Sequence, residues 1–72
     1  MNTLTLFGCK LKEFRVRNGF SQEKLAEITG LHRTYISSLE RGNRNPTLMT
    51  LKCLAKALDI TISELTSELD DD

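Results

Sequence analysis

The stretch Ser21 to Pro46, SQEKLAEITGLHRTYISSLERGNRNP, decides how the rest of the chain is read. Ser21 is a favourable N-cap, because its hydroxyl can accept one of the unpaired N–H groups at a helix start. Gln22 and Glu23 then open a helix whose apolar residues Leu25, Ala26 and Ile28 fall on one side. Gly30 follows at the position just past the last turn, where a left-handed backbone ends a helix without the steric penalty of a Cβ. A second helix is expected from about Arg33 to Arg41, stopped by Gly42. Two helices of about two turns each, joined by a short glycine-containing turn, form the helix-turn-helix supersecondary unit.

The second of these helices is sharply two-sided. At about 100° per residue, His32, Tyr35, Ile36 and Leu39 share one arc, and Arg33, Thr34, Ser37, Ser38 and Arg41 fill the opposite one. The first arc is built to bury. The second carries two guanidiniums and three small hydroxyls, with no long apolar side chain among them. An ordinary solvated helix face favours Glu, Lys and Gln, so these short hydroxyl residues point to a helix that must fit into something. A DNA major groove suits it: Arg can bond guanine O6 and N7 together, and hydroxyls can meet either strand.

Three pieces in fixed order, SQEKLAEITGL, RTYISSLERG and NPTLMTLKCLAKALDI, carry a resemblance to the lambda-repressor-like (Xre/Cro) DNA-binding proteins. The resemblance covers about Lys10 to Leu69. The run Arg33-Thr34-Tyr35-Ile36-Ser37, with Glu40-Arg41 and Arg44-Asn45, is especially similar to the controller proteins of restriction–modification systems. It implies an all-α fold of five compact helices, the helix-turn-helix being helices two and three. It also implies a homodimer on double-stranded DNA, with Arg33, Thr34, Ser37 and Ser38 as base contacts. Gln22, Tyr35, Arg41, Asn43, Arg44 and Asn45 are the expected backbone or groove contacts.

Several of these residues also have their own physical reading. Gln22 sits where free helix-start N–H groups suit an anion, and capping alone is compatible with that role. Tyr35 can bury its ring and place its hydroxyl on a phosphate, or serve packing alone. Arg44 stands between Asn43 and Asn45 in a loop suited to skirting the phosphate backbone, although a bare loop arginine often faces only solvent. Glu40 lies at the edge of the buried arc, and a half-buried carboxylate needs a cation. The resemblance names Arg15 as that cation, a structural ion pair beneath the recognition helix, with a direct phosphate contact by Arg15 as the alternative. His32 occupies the N-cap, where the family more often has Ser, Asp or Thr, and the cap is expected to be weak.

The 72 residues allow one domain at most, with a core near the lower limit of sufficiency. There is no apolar run long enough for a membrane span and no secretory signal pattern at the N-terminus, which is the pattern of a cytoplasmic protein. Cys9 and Cys53, with one histidine, make neither a metal-ligand set nor a disulfide framework, and no cofactor is expected. The formal net charge is zero. Its distribution is not: residues 1–56 hold all ten Lys and Arg with four acids (+10 − 4 = +6), and residues 57–72 hold six acids and no base (−6). The basic part coincides with the helix-turn-helix. Non-specific affinity for DNA should therefore be modest, leaving discrimination to specific contacts.

A first helix is expected from about Leu6 to Asn18, with Phe7, Leu11 and Phe14 facing the core and residues 1–5 frayed. Pro46 and Thr47 should start a fourth helix with a stripe of Leu48, Leu51, Leu54, Ala55 and Leu58. A last helix should be capped by Ser63. So small a molecule cannot bury every aliphatic here, and Ile60, Ile62, Leu65 and Leu69 are expected to form the dimer interface. The tail 70–72 is expected to be disordered.

No acid–base pair near His32, glycine-rich phosphate loop or metal cluster supports an enzyme. The first reading is a sequence-specific regulator that represses from a promoter or activates by touching RNA polymerase, probing a pseudo-palindrome as a dimer. As a controller it would regulate its own gene and an endonuclease gene. A phage-type or other Xre-family repressor is the nearest alternative. An antitoxin or other protein-interaction module is more distant, because its interaction helix would be apolar where this one is polar.

Overall fold

The computed structural model describes residues 2–70; Met1 and the end of the acidic tail, Asp71 and Asp72, lie outside the described residues. Five helices follow one another: α1 (Thr3–Arg17), α2 (Gln22–Thr29), α3 (Arg33–Glu40), α4 (Leu48–Ala57) and α5 (Ile62–Leu65). No strand is present among the described residues.

Local chemistry sets most of the boundaries. Ser21 caps α2 by accepting the Lys24 N–H at 2.9 Å, and Gly30 closes it at φ 77° with its N–H on the Ala26 carbonyl. Thr47 caps α4 through the Thr50 N–H at 3.1 Å. Two ends depart from the expectation. Helix α1 begins at Thr3 rather than near Leu6, because Asn2 Oδ1 accepts the Thr5 N–H at 2.8 Å and so orders Thr3, Leu4 and Thr5. Helix α5 is capped by Thr61, not Ser63. Thr61 and Glu64 form a reciprocal capping box, each side chain accepting the other's backbone N–H at 3.0 Å.

Helix α1 packs across α3, α2 lies between α3 and α4, and α5 closes the bundle against α4 and α1. Leu11, Leu25, Ile36, Leu39, Leu54 and Leu65 meet in the centre with no exposed surface, surrounded by Phe7, Phe14, Ala55 and Leu58. Every element therefore contributes to one core, as a chain this short requires. Leu65 is thus an interior residue, and it has no surface to offer a second copy. Ile60, Ile62 and Leu69 are half-buried against the same core. Leu48, expected inside, is instead 69% exposed beside Met49, since the first turn of α4 projects past the core. Ile28 is likewise exposed.

Candidate nucleic-acid interface

The turn between α2 and α3 holds the two helices against each other with little slack. Gly30 reverses the chain, Thr29 Oγ1 donates to the Leu25 carbonyl at 2.8 Å, and the Leu31 N–H comes back to Thr29 Oγ1 at 3.2 Å. Leu31 packs on the core and carries the chain into α3. His32 stands at the N-cap of α3 and makes no side-chain capping bond. That end of the helix has only its backbone.

The inner side of α3 is different. Ile36 and Leu39 are wholly buried. Glu40 reaches back to α1, where Arg15 donates from Nε to Oε2 at 2.6 Å and from Nη2 to Oε1 at 3.0 Å. The remaining guanidinium arm, Nη1, donates to the Phe20 carbonyl at 2.8 Å, between α1 and α2. Gln22 Nε2 adds a third donor to Glu40 at 3.0 Å. The side chains of Arg15 and Glu40 are 10% and 5% exposed, so the pair is desolvated and held in fork geometry. The hydrogen bond to Glu40 and its charge hold the Arg15 guanidinium above its ordinary pKa, against the opposing effect of burial. No buried side-chain polar atom among the described residues lacks a partner. Helices α1, α2 and α3 are therefore joined through one carboxylate.

The outer side of α3 presents the residues singled out from the sequence. Arg33 and Thr34 are exposed, and Ser37 and Ser38 are half-exposed beneath them. The two serine hydroxyls bond within the helix and its C-cap. Arg41 Nη1 donates to Ser37 Oγ at 2.6 Å, and Ser38 Oγ donates to the Thr34 carbonyl at 3.0 Å. Arg41 is thereby held along the helix surface. The Asn43 N–H donates to the Ser38 carbonyl at 2.9 Å, which folds the following loop back under α3. In that loop Asn43, Arg44 and Asn45 are exposed, and the Arg44 guanidinium lies 5.3 Å from the centre of the Tyr35 ring. The Tyr35 hydroxyl points to Thr50 Oγ1 at 3.5 Å, and Thr50 in turn meets Thr47 at 3.0 Å. Tyr35 thus packs one face on the core and lends the other to Arg44. Where the starts of α2 and α3 meet, Arg15, Ser21, Gln22, Glu23 and Arg33 line an open polar cleft.

The structure therefore brings Arg33, Thr34, Ser37, Ser38 and Arg41 together on one exposed face, with Gln22 at one end and Arg44 at the other. Ile60, Ile62 and Leu69 follow α4 in the chain, in α5 and on either side of it. Gly8 was not legible as a site residue. A methyl carbon built on it would stand 2.5 Å from the Glu40 carbonyl oxygen and 2.6 Å from that of Leu39. Its one sequence signal is a glycine inside a helical pattern, which often marks a close approach.

A two-helix unit with a buried inner face and a small polar outer face defines a helix-turn-helix protein. The helix-turn-helix family model matches residues 11–65, and the chain belongs to that family. It is 56% identical over 55 residues to the control protein C.SmaI of Serratia marcescens, across 76% of this chain and 66% of that protein. Its structure is similar to that of the restriction–modification controller protein C.AhdI from Aeromonas hydrophila. The TM-score is 0.84 at 48% identity, covering 86% of this chain and 94% of that one. It is also similar to SinR, a master regulator for biofilm formation, in a crystal structure with DNA. There the TM-score is 0.79 at 33% identity, covering 82% of this chain and 95% of that one. The arrangement is the all-α, lambda-repressor-like one.

Proposed function

We propose that this protein is a sequence-specific DNA-binding regulator of transcription, and that it serves as the controller of a restriction–modification system. The observation that carries this reading is the outer face of α3, where exposed Arg33, Thr34 and Arg41 surround half-exposed Ser37 and Ser38 on a helix whose inner face is fixed to α1 and α2. In the major groove, Arg33 would read a guanine edge, and Thr34, Ser37 and Ser38 neighbouring bases. Gln22, Tyr35, Arg41, Asn43, Arg44 and Asn45 would set the register on phosphates and groove walls. The Gln22 amide keeps its second N–H and its oxygen for that purpose while the first N–H is held by Glu40. Likeness to C.SmaI and C.AhdI supports the controller role, and likeness to the DNA-bound SinR supports the mode of binding.

A homodimer would place two copies of α3 on half-sites about one helical turn apart, roughly 34 Å. Ile60, Ile62 and Leu69 are its proposed interface, with the exposed Leu48 on the adjoining helix. From a promoter such a dimer would repress by occupancy or activate through RNA polymerase. The test is selection of sites from randomised duplex DNA by the purified protein near physiological salt. Enrichment of an inverted repeat with centres about ten base pairs apart is the expected result. No enrichment by a folded protein would overturn the reading in favour of a protein-interaction module.

A further inference from the structure

Glu40 is held twice. Its carboxylate is gripped by Arg15 and Gln22, and its main-chain carbonyl rests on Gly8. Gly8 and Arg15 are seven residues apart in α1, almost two full turns, and so share one side of that helix. The last turn of α3 is thus pressed along a single line of α1. At Arg15 it meets a long side chain, and at Gly8 it meets bare backbone.

The neighbouring turn repeats the contact. Gly42, at φ 77°, follows α3 and faces the first turn of α1. A Cβ there would lie 2.8 Å from Thr5 Oγ1, 2.9 Å from Thr5 Cα and 3.0 Å from Thr5 N. The Gly42 N–H also donates to the Leu39 carbonyl at 3.1 Å, one of the two oxygens that would collide with a side chain at position 8. Two glycines therefore let the C-terminal end of α3 approach the N-terminal half of α1 more closely than any other residues would.

We propose that Gly8 is a positioning residue for recognition, setting the tilt at which α3 presents its C-terminal half. The inference rests on the DNA-binding reading given above. A methyl group at position 8 collides with main-chain atoms of Leu39 and Glu40, which cannot rotate out of the way as a side-chain tip could. Restoring ordinary van der Waals separation requires that end of α3 to move by on the order of 1 Å. Binding constellations tolerate about half that displacement before directed hydrogen bonds are lost. The N-terminal end of α3 stays in place, since Leu31 and the Gly30 turn hold it from α2. The helix therefore pivots. Readout by Ser37 and Ser38, and the backbone contact of Arg41, move; readout by Arg33 does not.

The test uses the duplex that the wild-type protein enriches from a random pool, together with every single-base variant of its half-site. Affinities of wild-type and Gly8→Ala proteins are measured at a temperature where circular dichroism shows both folded. The base position that depends on Arg33 is assigned by Arg33→Ala. The expected result is a loss of about tenfold in preference at positions on the Ser37–Ser38 side, with preference at the Arg33 position retained. Merely lowered stability would leave the whole preference profile unchanged at that temperature, and such a result overturns the proposal. A uniform loss of preference at every position also overturns it. Should Gly8→Ala not fold, Gly42→Ala wedges the same end of α3 from the adjoining turn, and an unaltered profile there overturns the proposal equally. If the wild-type protein enriches no sequence, the DNA-binding reading fails and this inference falls with it, so the two failures are told apart.

Discussion

The two ends of α3 are secured in opposite ways. At the C-terminal end, Glu40 receives three side-chain hydrogen bonds from two other helices, and the backbone beside it lies against Gly8. At the N-terminal end, His32 gives no capping bond and is exposed, and attachment falls to Leu31 and the glycine turn. A recognition helix has to be held firmly and yet leave its leading residues free. Here the two requirements are assigned to different ends. In stability, Arg33 and Thr34, at the end held by the turn and by Leu31 packing without a side-chain cap, have the least to lose from being changed; the groups at the other end have the most.

That contrast can be broken most directly with Arg15→Ala. Removing one partner of a desolvated pair leaves Glu40 with a buried, poorly compensated charge, a loss of about 3–5 kcal/mol. At about 4–8 °C per kcal/mol for a domain this small, the melting temperature should fall by more than about 12 °C. Replacing both partners, Arg15→Met with Glu40→Leu, should recover most of that loss, because an apolar pair carries no desolvation penalty. Unchanged melting in Arg15→Ala with weakened DNA binding would show that Arg15 serves as a phosphate contact instead.

Arg33→Ala tests the opposite end. It should leave melting within about 0.5 kcal/mol of wild type, while binding to the selected duplex weakens by about 1–3 kcal/mol and one base position loses its preference. Retained affinity and preference, measured by titration on single-base variants, would mean that the outer face has been misassigned. Gln22→Ala joins the two roles. It should lower stability by about 1 kcal/mol through the lost bond to Glu40, and weaken binding to all sequences alike rather than at one base. The smallest effect is a gain: His32→Ser supplies the missing cap and should stabilise the fold by about 0.5–1 kcal/mol in urea denaturation. No gain would show that the start of α3 is already satisfied.

How much of this was legible beforehand follows the range of the interactions involved. Ser21, Gly30 and Thr47 act on backbone within four residues of themselves, so their patterns announce helix ends directly. The same kind of signal was available in Asn2 and in the Thr61–Glu64 pair. There, competing candidates nearby, Leu6 and Ser63, obscured it. Leu65 and Leu48 exchanged places between surface and core because periodicity gives a helix its apolar side but not how far its neighbour extends along it. Gly8 lies at the far end of that scale: its reason for being glycine sits more than thirty residues away, in two carbonyls of α3. The two-sided pattern of α3 was readable because both of its faces lie on one short segment.

The side-chain hydrogen bonds on the outer face of α3 stay on that face: Arg41 holds Ser37, and Ser38 holds the carbonyl of Thr34. Nothing in the core or in the Glu40 junction depends on them. On this face, target choice is written at positions that foldability does not use, and selection can act there with little penalty to the scaffold. A library randomised at Arg33, Thr34, Ser37, Ser38 and Arg41 should consist largely of folded members. Lineages of such a protein can drift to new operators by changes on this face alone, with the scaffold inherited intact.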